Sequence, residues 1–403
     1  MSTSGAVSSG GNVTSTFRDT AIPSRNEGSR RERWLDLLRA IALGRVIIYH
    51  LFGAAWLSLV FPSIGVMFAL AGSLTMRSLY RTPAVKVVGR RLRRLLPPLW
   101  LMGAILVPIM LWQGWARETG DGALQPEQLI FWLFPVFDPP GSTWAADATV
   151  VLWYIRTYLW FLLLTPLLLW AFRRRPVLTL LAPLTVVALN EMFDAPLADW
   201  GLLGPALLDV ATFGTCWILG FAHRDGILQR MRPATVSSLA LGAIGAGALW
   251  TVINGADAGY DLNELPLGQA LVSIGAVLLL LRISPSLTML DRLPWLGRLV
   301  TLVNARAITI YLWHNIAIDL AVPVDDWLGW ESMYAQLGVS VALTAVAVLA
   351  FGWIEDLAGR RPVQFVPTGP PRRPSAHRGR HARPVGHSDQ AGHQHHSQRH
   401  QTG

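Results

Sequence analysis

The chain reads as an all-α protein: a polytopic membrane helix bundle of about ten transmembrane helices, with both termini in the cytoplasm. Three observations predict this. Of 403 residues, 52% are hydrophobic and only 15% charged, with a mean hydropathy of +0.38; that balance suits lipid and not a soluble globule. The apolar residues gather in ten stretches of about 20 residues, the length that crosses a bilayer core as a helix. The connections between those stretches alternate in charge.

The N-terminal segment, 1–33, is polar, rich in Ser and Gly, and has no apolar run before Trp34. It is expected to be a disordered cytoplasmic tail and not a cleavable signal, so the first span acts as an uncleaved anchor. That span, 35–57, carries Asp36, Arg39, Arg45 and His50 within apolar sequence. The second, 62–80, holds Gly65, Ala69, Gly72 and Ser73, a small-residue face for close helix packing. Before the third, 95–113, Lys86, Arg90 and Arg94 recur at i, i+4 and i+8. The spacing predicts a short basic helix at the cytoplasmic interface, leading into the span at Pro97.

The next spans are expected at 150–172, 177–193, 202–221, 235–254 and 266–283. Among them 177–193 is the least regular, with Pro183 inside it and Asn190 and Glu191 at its end. Spans at 299–322 and 333–356 complete a membrane domain over 34–361. Residues 362–403 are rich in Pro, Arg, Gln and His, hold seven of the ten histidines and have no apolar run. They read as a disordered, solvated cytoplasmic tail with no metal expected, since no ligand spacing repeats cleanly; the other reading is metal binding by the histidines.

Charge sets the orientation. Basic loops hold Lys86 to Arg94, Arg173 to Arg175, Arg224 with Arg230 and Arg232, and Arg282 with Arg292 and Arg298. The alternate loops are acidic: Glu118, Asp121, Glu127, Asp138 and Asp147, then Asp257, Asp261 and Glu264, then Asp325, Asp326 and Glu331. The positive-inside rule puts the basic set, and with it both termini, in the cytoplasm. The net charge of +9 is therefore explained by loop placement and does not imply nucleic acid. Cys216, the single cysteine, excludes an intrachain disulfide and reads as a small packing residue.

Charges inside spans mark the candidate site. Arg39 and His50 are eleven positions apart, which at about 100° per residue returns to one helix face. Facing lipid they would cost several kcal/mol, so they are expected to face a polar interior. Histidine titrates near cellular pH and suits proton transfer. Arg45 lies off that stripe and reads as structural. Arg156, Asp209, Arg306, His314 and Glu355 also lie in or at the edge of spans; Arg306 and His314 share one broad face. The other reading for these is structural pairing, for instance Arg156 with Asp209. Arg90, Arg91 and Arg94 either grip a phosphate with their guanidinium forks or simply anchor the helix by snorkelling.

Together these pieces resemble the acyltransferase-3 family of integral membrane acyltransferases. Leu35, Asp36, Leu38, Arg39, Ala40, Ile41 and Ala42, then Tyr49 and His50, match its first-span pattern of arginine, ten residues, histidine. Arg91, Arg94 and Pro97, followed by Trp100, resemble its R-x-x-R-x-x-P segment. Tyr311, Leu312 and His314 match the end of its S-Y-x-x-Y-L-x-H signature, and Glu355 the glutamate closing the last span. The chain departs from the pattern at Ala71, where Ser is usual, and at Ala307 and Ile308, where Ser-Tyr is usual.

The resemblance implies a multi-pass protein of the cell membrane that transfers a short acyl group, acetyl from acetyl-CoA above all, from a cytoplasmic acyl-CoA donor. The implied acceptor is a hydroxyl of a carbohydrate, glycolipid or glycosylated metabolite. Arg91, Arg94 and Arg90 would hold the donor's phosphates, with Arg39 beside them, and His50 would be the general base. Asp36, Tyr311, His314, Arg306, Glu355 and Arg156 are further candidates. The competing classes are a transporter or flippase that relays protons through the same Arg and His residues, and a non-catalytic membrane scaffold.

Overall fold

The structure, a computed structural model, describes residues 25–193, 197–283, 285, 287, 292–329 and 332–367. Among the described residues every regular element is helical. The principal ones are α1 (Arg25–Phe52), α2 (Ser63–Leu79), α3 (Ala84–Trp112), α4 (Leu152–Arg174), α5 (Pro176–Met192) and α6 (Leu203–Arg224), followed by α7 (Pro233–Asn254), α8 (Pro266–Arg282), α9 (Pro294–Ala305), α10 (Ala307–Leu328), α11 (Met333–Phe351) and α12 (Trp353–Ala358). Short helices and 3₁₀ turns fill the long connection between α3 and α4. The tail beyond 367, with its histidines, and residues 1–24 lie outside the described residues.

Each of the ten expected spans is helical over most of its length. Seven helices, or helix pairs such as Trp56–Leu79, are long and apolar enough to cross a membrane. α5 and α8 are apolar but only 17 residues long. The apolar stretch of α1 is interrupted by Asp36, Arg39 and Arg45. Helix-starting prolines stand at the first position of α5, α7, α8 and α9, where the missing N–H would have had no helical partner.

Four boundaries differ from the sequence expectation. The basic segment and the third span form one helix, α3, which runs through Pro97 and Pro98. The ninth span is two helices: α9 ends at Ala305 and α10 begins at Ala307, with Arg306 between them at φ −112° and ψ 20°. The C-terminal tail does not start at 362, because Gln364 is tied to the bundle through its backbone N–H and carbonyl. At the other end α1 begins at Arg25, ahead of the expected boundary.

The small-residue face of α2 does what its composition suggests. A Cβ on Gly72 would stand 2.2 Å from the Trp217 carbonyl oxygen, and one on Gly220 would stand 2.2 Å from that of Ala69. α2 and α6 therefore meet backbone to backbone, which only small residues permit. Gly65 instead abuts the Ser273 side chain of α8, and Cys216 is fully buried as a packing residue. α6 is the hub of the bundle, 72% buried, whereas α7 and α11 are 22% and 17% buried and turn apolar side chains outward. This gradient is the one a helix bundle shows in lipid, where peripheral helices need no polar face.

Candidate active site

A cavity of about 500 Å³ opens at the end of the bundle that carries the α2–α3 connection. Five guanidinium groups line it: Arg39 from α1, Arg77 from α2, and Arg90, Arg91 and Arg94 from α3. Among the described residues no carboxylate lines it. Arg90 and Arg94 stack one turn apart on α3, and Arg91 sits about 100° around from Arg90. Such a ring of like charge at a concave mouth concentrates positive potential and draws anions to it.

Several of these arginines are aimed by neutral partners. Arg39 donates to Asn304 Oδ1 at 2.9 Å, and Asn304 in turn donates to the Asp36 carbonyl oxygen at 2.8 Å. The Asp36 carboxylate is 3.8 Å from Arg39 but half exposed, so its grip is weak. Arg91 donates to the Tyr158 hydroxyl at 2.9 Å. Arg94 comes within 3.7 Å of Glu355, and Arg77 pairs with Glu32 at 2.7 Å outside the lining.

Beyond the arginines the wall is apolar, with Leu43, Met67, Ala71, Leu74, Ala307 and Ile308. Tyr154, Tyr158 and Tyr311 close the depth of the cavity. Tyr311 donates to the Val151 carbonyl at 2.7 Å, which ties α10 to the start of α4. One turn further along α10, His314 lies with its ring centroid 5.6 Å from Tyr311 and 5.2 Å from His50. Neither histidine lines the cavity itself; they stand behind Tyr311.

The His314 ring is set by its backbone. Nδ1 is 2.6 Å from the Tyr311 carbonyl oxygen. A carbonyl only accepts, so Nδ1 carries the hydrogen and Nε2 presents a bare lone pair. That Nε2 is buried and has no hydrogen-bond partner among the described residues. The arrangement supplies a neutral imidazole base beside a second imidazole, in a water-poor setting.

The other candidates are drawn elsewhere. Arg156 bonds both Asp138 and Asp209, and Thr157 donates to Asp209 at 3.0 Å. This ties the α3–α4 connection to α4 and α6. Arg306 is fully buried and bonds Asp356 at 2.7 Å as well as the Gln364 carbonyl. Asp356 also accepts from the Gln364 N–H at 3.0 Å. Glu355 accepts from the Thr309 N–H at 2.8 Å and from its hydroxyl at 2.7 Å, which caps the first turn of α10. Arg45 donates to Ser58 at 2.5 Å and lies over the Tyr49 ring.

Of the sequence candidates, then, Arg39, Arg90, Arg91, Arg94 and Tyr311 meet at one cavity, and His50 meets His314 behind it. Asp36 and Glu355 flank the cavity, while Arg156 and Arg306 are engaged outside it. Sequence reasoning passed over Arg77, Tyr154, Tyr158 and Asn304. Arg77 is one more positive-inside arginine until α2 turns it toward Arg39. Asn304 is an unremarked amide until the α9–α10 break sets it against α1.

The acyltransferase-3 family, described as an acyltransferase domain, matches residues 32–354. A relative from Komagataeibacter xylinus, named "Putative membrane-bound transacylase BcsY", is 26% identical over 350 residues, which is 83% of this chain and 85% of that protein. No solved structure matches the chain. The family match runs from the first turns of α1 through α11 into α12, over both walls of the cavity and both histidines, so the chain belongs to the acyltransferase-3 family and is a membrane-embedded acyltransferase.

Proposed function

We propose that this protein is a multi-pass O-acyltransferase of the cell membrane, taking an acyl group from acyl-CoA on the cytoplasmic side and passing it to a hydroxyl of a carbohydrate, glycolipid or glycosylated metabolite. The observation that carries the reading is the cavity with five guanidinium groups, no carboxylate among its described lining residues, and, beyond Tyr311, buried His314 against half-buried His50. A donor that bears phosphates and a long uncharged arm suits a mouth of forked cations over an apolar shaft. The carbohydrate acceptor rests on the family resemblance alone.

In this reading Arg90, Arg91 and Arg94 bind the donor phosphates, with Arg39 and Arg77 completing the ring. The thioester carbonyl comes to rest near Tyr311. His50, paired with His314, removes the proton of the acceptor hydroxyl. The acceptor oxygen forms the new C–O bond as the C–S bond breaks, and the proton passes from the imidazole to the departing thiolate. Ten spans and cytoplasmic termini complete the reading, supported by the charge of the loops.

The test uses the full chain in lipid nanodiscs. CoA should raise its melting temperature by mass action, and labelled acyl-CoA should transfer its label to a hydroxyl acceptor in membrane extracts. Absence of CoA stabilisation together with absence of thioester consumption would sink the proposal. For topology, a fluorescent protein fused at the C-terminus should glow and a phosphatase fused there should be silent; the reverse pattern rejects a cytoplasmic C-terminus.

A further inference from the structure

Three phenols close the depth of the arginine-mouthed cavity, and their hydroxyls are unequally engaged. Tyr311 spends its hydrogen on the Val151 carbonyl at 2.7 Å. The Tyr158 oxygen is taken up by an Arg91 N–H at 2.9 Å. The Tyr154 hydroxyl has no hydrogen-bond partner among the described residues. Nor is its oxygen sealed within protein, so it opens into the cavity that the residue lines.

The Tyr154 ring is clamped. It stands between Phe68 and Tyr311, with centroids 4.7 and 4.9 Å away, and Trp153 and Tyr158 pack at 6.3 and 6.4 Å. A hydroxyl held this way costs little further ordering when a ligand arrives. Its place also matters. From Tyr154 the rings run on to Tyr311, then 5.6 Å to His314 and 5.2 Å from there to His50. Tyr158 sits one turn along α4, toward its basic end. Of the two phenols with a hydrogen still to give, Tyr154 is the one whose ring meets Tyr311, in front of the imidazoles.

Attack on a thioester drives an electron pair onto the carbonyl oxygen, and a donor fixed in advance stabilises that charge. We propose that Tyr154 is a catalytic residue of the transfer, its hydroxyl donating to the thioester carbonyl oxygen and to the oxyanion that follows. The inference rests on the acyl-CoA reading and deepens it. As the acceptor oxygen bonds to the carbonyl carbon, the C=O π pair moves onto the oxygen that faces Tyr154. When that pair returns, the C–S bond breaks and the thiolate leaves, taking the acceptor's proton from the imidazole. Tyr154 keeps its own proton throughout. Arg39 is within electrostatic reach of the phenol and favours the same negative charge.

The test uses the full chain in nanodiscs and acyl-CoA labelled with carbon-13 at the thioester carbonyl. In infrared difference spectra the labelled carbonyl band of the bound donor should lie below that of the free donor. Tyr154→Phe keeps the ring and should bind CoA as the natural chain does. It should return the band toward the free position and lower transfer to a hydroxyl acceptor in membrane extracts by about 10²–10³-fold, the effect of removing one oxyanion donor. Tyr158→Phe should leave the band in place. Should Tyr154→Phe fail to give monodisperse protein, fluorotyrosine at position 154, a stronger donor of nearly the same size, should move the band further down. With CoA bound, an unshifted band and unchanged turnover in Tyr154→Phe, or a band indifferent to fluorination, overturns the inference and leaves the donor reading standing. Loss of the shift in Tyr158→Phe alone overturns it too. A natural chain that neither binds CoA nor consumes the thioester removes both.

Discussion

Two sets of arginines lie in this bundle, and their surroundings divide them. Arg156 and Arg306 are 2% and 0% exposed, and each is held by acidic side chains or a backbone carbonyl from distant segments. Arg77 and Arg94 keep 38% and 37% of their side chains open, and with Arg39, Arg90 and Arg91 they face a cavity that no carboxylate lines. A guanidinium whose charge is met inside the protein spends its hydrogen bonds on the fold. One that lines a shared concave mouth turns the rest of its N–H fork toward an anion. The two sets teach that burial and place divide the arginines: those held in the core by carboxylates and carbonyls serve the fold, while those gathered at one open mouth, with Asp36, Glu32 and Glu355 only at its flanks, present donors to an anion.

The largest effect should come from the imidazoles that the open set leads to. His50→Ala should lower transfer by about 10²–10⁴ while the protein still inserts, as loss of a general base does. His314→Gln should be similarly impaired. The His50→Ala, His314→Gln double variant should lose little more than either single, because groups that act as one unit are non-additive. Near-normal turnover by a well-expressed His50→Gln variant with a defined acceptor would take His50 out of the mechanism and leave His314 as the base.

The paired set should answer in stability. Arg156→Gln strands Asp209 and Asp138 without their cation and should cost about 3–5 kcal/mol, the range for breaking a buried pair from one side. Thermal unfolding in detergent should show a lowered melting temperature, and surviving protein should keep its donor KM. A raised donor KM with unchanged stability would place Arg156 with the open set and dissolve the comparison.

Arg91→Gln and Arg94→Gln should behave in the opposite sense. Each should raise the donor KM by about tenfold or more, the worth of a charge-assisted hydrogen bond, and lower kcat less, since phosphate grip is mostly uniform binding. Melting temperatures should barely move. Wild-type donor KM in both variants would mean that these arginines only anchor α3 at the membrane surface.

The smallest effect should come from the tail. Truncation after Gln364 keeps both backbone contacts of that residue to Arg306 and Asp356 and should leave activity within a few-fold. Truncation after Arg361 removes them and should lower the melting temperature. An inactive but normally inserted Gln364 truncation would give the histidine-rich tail a working role.

By itself the amino-acid sequence determined the helical class, the places of the ten apolar stretches, the packing face of α2 and the cluster Arg90, Arg91 and Arg94. Each of these is local: apolar length, small-residue spacing and charge period are read along one segment. The motif residues Arg39 and His50 were legible for the same reason, since both sit on one helix face. Only the tertiary structure decided which charges pair. The Arg156–Asp209 pair that the sequence offered as one of two readings is formed, with Asp138 as a further partner, and Arg306 meets Asp356 and Gln364 through contacts between segments that no periodicity links. The same holds for Asn304 aiming Arg39, for Arg77 joining the mouth, and for His314 coming to lie against His50. The reason is physical: the cost of a charge in lipid tells that a partner or a cavity exists, but which of the two it is depends on what the other helices bring to that depth.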